Sequence, residues 1–149
     1  MAFVHLHNRS QYSLLDGAIA PADLVTAAVE QGQTALALTD TCNLYGAFEF
    51  WKAAKGAGIS TVLGTSIWMW PSGVSTIRPD DPDGGWDLVL FMESQGAPYA
   101  SQNTPGYRNL CALITTAIFD GMHYRPRIDW KLLERHREGL IVTTSGLNG

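Results

Sequence analysis

The sequence predicts an α/β fold with mostly parallel strands covered by helices, and three observations predict it. Apolar runs of strand length alternate with segments of helical periodicity. Those runs lack the in/out alternation of a sheet with one wet face. The 149 residues are 46% hydrophobic and only 16% charged, which suits one packed domain and excludes overall disorder.

Phe3 to His7 is a short β-rich run that opens into a polar stretch, Asn8 to Gly17. Pro21 suits the first turn of a helix, where its missing N–H costs nothing. Leu24, Val25, Ala28 and Val29 give that helix one apolar face, and Gly32 ends it. Ala35 to Thr39 (ALALT) reads as a buried strand with Asp40 at its end. A second helix is expected from Asn43 to Ala57, with Leu44, Ala47, Phe48, Trp51 and Ala54 on one face and Gly56 and Gly58 closing it.

Thr61 to Trp70 is the next strand, stopped by Pro71, and a Pro/Asp/Gly-rich loop runs from Ser72 to Gly85. Trp86 to Met92 is a further strand and Glu93 to Pro105 a polar loop. Helices are expected at Tyr107 to Phe119 and Trp130 to His136, then a strand from Gly139 to Thr144. The order is β-α-β-α-β-β-α-α-β. Five strands are too few to close a (βα) barrel, and the last lacks anything to cover it. Residues 1–149 are therefore expected to be a single, incomplete domain.

Charge and composition exclude several functions. The net charge is −4, opposite to the basic face that phosphate neutralisation needs. Five of the ten Lys and Arg side chains lie between Arg125 and Arg137, which reads as a solvated face rather than a DNA-binding patch. No apolar run reaches the ~18 residues of a membrane span. The first ten residues, MAFVHLHNRS, do not read as a signal peptide, so a cytoplasmic chain is expected. Cys42 and Cys111 have no CxxC spacing and read as buried thiols.

In parallel α/β folds, chemistry gathers at the C-terminal ends of strands. His7, Asp40 and Ser66 fall at or near such positions, and Asp87 at the start of a strand. His5 and His7 would share one face of a strand and could hold a metal ion. Two ligands alone make a poor site, so a strand edge with one satisfied histidine is the preferred reading. No GxxxxGK[ST], GxGxxG or GxSxG occurs. Ser10 or Ser13 with His7, and Cys42 near Asp40, remain weak nucleophile candidates. His123 and His136 have solvated roles by default. Trp68, Trp70 and Trp86 read as strand-face packing rather than a base-stacking platform.

Four segments, in order, carry a resemblance: FVHLHNRSQYSLLDGA, ALALTDTCNLYGAFEFWKAAKGAGI, GYRNLCALI and YRPRIDWKLLERHREGLIVTTSG. Together they resemble the N-terminal PHP (polymerase and histidinol phosphatase) domain of bacterial replicative DNA polymerase III alpha subunits. The likeness spans the chain apart from the two long loops. It implies the N-terminal part of a distorted (βα)7 barrel, here incomplete, without the polymerase carboxylates.

Active members of that family hold a metal cluster and act as phosphoesterases or 3′–5′ exonucleases. Carried over position by position, the resemblance keeps His7, Asp16 and Asp40. It places Arg9, Thr41, Ser66 and Gly146 where ligands are expected, and Asp87 in place of a histidine. Further ligands would lie past the end of the chain. The implied pocket of His7, Arg9, Asp16, Asp40, Thr41, Ser66 and Asp87 is therefore vestigial, with Arg9 paired to a carboxylate. No catalytic residue, metal or cofactor is expected.

His7, Asp16 and Asp87 are the weak metal candidates, and Mn, Zn or Mg would matter only if a residual phosphoesterase or exonuclease survives. Expected partners are the rest of the polymerase alpha subunit and a proofreading exonuclease subunit, with Trp68, Trp70 and Trp130 as surface candidates. DNA is contacted only indirectly, and no membrane is involved. Alone, the chain is expected to aggregate or dimerise through open sheet edges.

Overall fold

The computed structural model describes residues 3–71, 73, 85–93 and 104–146. They form a mixed α/β fold in which the chain divides into two compact units, Met1–Thr65 and Ser66–Gly149. The loops expected at Ser72 to Gly85 and Glu93 to Pro105 lie largely outside the described residues.

In the first unit, α1 (Pro21–Glu30) is followed by β1 (Ala35–Leu38), α2 (Ala47–Ala57) and the first part of β2 (Ser60–Met69). Gly32 adopts φ 69° just past α1, and Gly58 caps α2 at φ 74°, both in the left-handed region that glycine enters freely. β1 pairs with β2 in parallel, Ala35 opposite Ser60 through Leu38 opposite Leu63. Val25, Ala28, Leu36, Leu38, Phe50 and Ala54 form the core, with Leu24, Ala53, Ile59 and Leu63 packed around it.

Three expectations for this unit are corrected. Phe3 to His7 is not a strand, although Ala37 N–H donates to the His5 carbonyl and Thr39 N–H to that of Asn8. The Asn8 side-chain amide donates to the carbonyls of both His5 and Ala37, displacing the backbone ladder there. Next, α2 starts at Ala47 rather than Asn43. The Asn43 side chain accepts from Tyr45 N–H and donates to the Tyr12 and Thr41 carbonyls, which holds the chain in a turn. Finally, α2 buries Phe50, while Phe48 is 71% exposed.

The second unit holds the end of β2, then β3 (Trp86–Met92), α3 (Pro105–Phe119), β4 (Arg127–Ile128), α4 (Trp130–Arg135) and β5 (Leu140–Thr144). The two-residue β4 is absent from the sequence reading and pairs in parallel with β2 at Trp68 and Met69. β3 and β5 pair antiparallel, Leu88 opposite Thr144 through Met92 opposite Leu140. Thr104 and Asp129 cap α3 and α4 by accepting from Tyr107 N–H and Leu132 N–H. Gly106 and Gly139 approach so closely that a Cβ on either would collide with the backbone of the other.

In the basic segment Arg125, Lys131, Arg135 and Arg137 are exposed, and the solvated reading is corrected at Arg127. Arg127 is fully buried, its guanidinium 4.7 Å from the Trp70 ring, and Arg125 lies 4.5 Å from the ring of Trp68. His136 Nδ1 is 3.2 Å from Asn109 Oδ1 rather than simply solvated. On β5, Ile141 and Val142 are exposed at 54% and 40%. Among the described residues no helix is long and apolar enough to cross a membrane.

The corrected face of α2 makes a testable contrast. Phe50→Ala is expected to cost about 3–5 kcal/mol in urea denaturation, as large-to-small changes in packed cores do. Phe48→Ala should stay within about 0.5 kcal/mol of the parent. Equal costs for the two would contradict this packing.

Candidate functional site

The end of β1 delivers Asp40 into the interior, where it is 1% exposed. Its carboxylate is closed by the segment that precedes α1. Ser10 N–H donates to Oδ1 at 2.7 Å, Ser10 Oγ to Oδ2 at 2.8 Å, and Ser13 Oγ to Oδ1 at 2.6 Å. Ser13 Oγ also accepts from Thr41 N–H, and Thr65 Oγ1 donates to the Asp40 carbonyl at 2.6 Å.

The serines can reach the carboxylate because residues 10–17 form a compact double turn. Ser13 N–H donates to the Ser10 carbonyl, and the N–H groups of Asp16 and Gly17 both donate to that of Ser13. A Cβ on Gly17 would fall on the Ser10 carbonyl, so the turn requires glycine there. Leu15 pays a local cost at its tip, fully exposed at φ 71°.

Beside this turn Arg9 Nη1 lies 3.5 Å from Asp16 Oδ2, a half-exposed pair. Thr41 Oγ1 donates to the same Asp16 oxygen at 3.5 Å. His7, Asn8, Arg9, Asp16 and Leu24 line an open cavity of about 370 Å³. The first unit thus brings together His7, Arg9 and Asp16, and joins Asp16 to Thr41. Asp40 instead closes on the two serines. Ser66 and Asp87 belong to the second unit, Ser66 fully buried within β2 and Asp87 8% exposed near the head of β3. Gly146 is exposed at φ 111°.

A divalent cluster needs several anionic or imidazole donors converging on it. In the first unit the two oxygens of Asp40 are occupied by three protein donors, and Asp16 faces a guanidinium and a hydroxyl. Among the described residues no group of three or more His, Cys, Asp and Glu side chains gathers at metal distance. The donor set described here does not fit a metal cluster. His5 and His7 do not form the strand pair considered above. The His5 ring stacks edge-on against Phe3 at 4.7 Å, and the His5 backbone N–H donates to Gln33 Oε1.

The nucleophile candidates fail on environment. Cys42 is buried at φ 49°, and burial pushes its thiol up to about 12. A thiol held protonated at neutral pH is not an activated nucleophile. Cys111 is half-buried rather than buried, and hydrogen-bonds with Tyr107, whose hydroxyl is pushed above its usual range chiefly by that contact. Ser10 and Ser13 are engaged with Asp40.

Comparison with known proteins gives the family. The PHP domain profile matches residues 5–149. The chain belongs to the PHP domain family. It is 41% identical over 149 residues to the DNA polymerase III subunit alpha of Treponema pallidum (strain Nichols), covering 100% of this chain and 12% of that protein. Against the Borreliella burgdorferi protein of the same name the identity is 38% over 148 residues, covering 99% and 12%. A solved amidohydrolase from Chromobacterium violaceum is similar over 76% of this chain and 32% of its own, with a TM-score of 0.49 and 22% identity. This PHP chain thus spans about an eighth of the length of those polymerase relatives.

Sequence reasoning weighs Ser10 and Ser13 only as nucleophiles and misses their role in holding Asp40. Two serines three apart just ahead of an Asp-Gly pair signal a local turn, and not a contact with a carboxylate 27 and 30 positions away. Thr65 leaves no comparable local signal.

Two outcomes follow from this geometry. Asp40→Asn places an amide N–H₂ among donors, and should cost about 2–4 kcal/mol in urea denaturation. A cost near zero would show that the serines are satisfied elsewhere. For Cys42 the folded thiol titrates near 12 and the unfolded one near 9. Its contribution is complete below pH 9 and is lost as pH rises from 9 towards 12. The parent chain should therefore lose more stability over that window than Cys42→Ala, a comparison that cancels Tyr107. Parallel pH profiles would contradict the burial of this thiol.

Proposed function

We propose that the chain is the PHP segment of a DNA polymerase III alpha subunit, acting in DNA replication without chemistry of its own. The observation that carries this reading is 41% identity along the whole chain to a protein of that name. The segment serves as scaffold, joined to the rest of the alpha subunit and docking a separate proofreading exonuclease subunit in the cytoplasm. DNA is reached through those partners. The burial of Arg127 supports this, because it removes one cation from a phosphate-binding face.

His7, Arg9, Asp16, Asp40 and Thr41 are the first-unit part of a degenerate, metal-free pocket. An arginine beside Asp16 competes with any divalent ion for the same carboxylate. Ser66 and Asp87 are substitutions at further ligand positions implied by the resemblance. Of the suggested surface tryptophans, Trp130 is the exposed one, at 52%, whereas Trp68 and Trp70 are half-buried with arginines over them.

The test is made on the purified chain with Mn²⁺ and Zn²⁺, a phosphodiester substrate and the proofreading exonuclease of its own organism. Binding of the exonuclease without metal-dependent hydrolysis is expected. Hydrolysis that disappears in Asp16→Ala would replace this reading with a residual phosphoesterase. Absence of exonuclease binding would remove the docking role.

A further inference from the structure

We draw no further inference here: the strongest candidate, the outer edge of β5 beyond its pairing with β3, where Ile141 and Val142 are exposed, is an apolar strand edge unpaired among the described residues, and nothing in the structure shows what covers it.

Discussion

The closure of Asp40 by Ser10 and Ser13 is the constraint on which the first unit's loop architecture depends. A carboxylate that is 1% exposed must have its oxygens satisfied by the protein. Three donors from residues 10–13 do so, and they can only when the chain folds back through the turn that Gly17 permits. Ser13 Oγ then has the Thr41 N–H as a donor, and the Asp40 carbonyl accepts from Thr65 Oγ1. Residues distant in sequence are thereby fixed around one side chain. The neighbouring pocket inherits its shape from this, since Arg9 and Asp16 are the residues flanking the closed turn.

The second unit is organised by a different principle. Its tight places are backbone against backbone, with Gly106 on Gly139, and its buried cation is stacked rather than placed on a phosphate-binding face. Arg127 follows from the short pairing of β4 with the end of β2, where Trp68 stands opposite Arg127 and Trp70 N–H donates to the Ile128 carbonyl. A guanidinium tolerates this better than an ammonium because it is planar and less strongly hydrated. One member of a basic run can therefore be buried while Arg125, Lys131, Arg135 and Arg137 stay exposed.

Much of the fold was legible where local chemistry decides it. Pro21 and Gly32 bracket α1, Trp86 to Met92 is β3, and Trp130 opens α4, all because the signal lies within a few residues. The outward rotation of Phe48 was not legible. Residues 48, 50 and 51 are all aromatic, and two overlapping sets of positions satisfy helical spacing equally well. Phe3 to His7 has strand composition, but the Asn8 amide displaces a ladder bond, and composition does not register that competition. β4 is two residues long and has no period to detect. At the site, the surviving aspartates and the intruding arginine were readable from the resemblance. The serine contacts were not, because they join residues 27 and 30 positions apart.

On the reading proposed above, Asp16 beside Arg9 and the closed Asp40 are two carboxylates stabilised without a metal. A metal cluster holds carboxylates together by supplying positive charge between them. Without it, neighbouring carboxylates near a strand end repel, and a buried one loses the partner that offset its desolvation. A guanidinium beside Asp16 and hydroxyl and amide donors around Asp40 meet those two needs separately. The guanidinium can remain half-exposed because its carboxylate is, while the buried carboxylate takes neutral donors that need no countercharge in the core. An ion placed here would have to displace both a cation and a set of short hydrogen bonds. A single substitution back to a ligand at position 9 would thus still leave Asp40 committed to the serines.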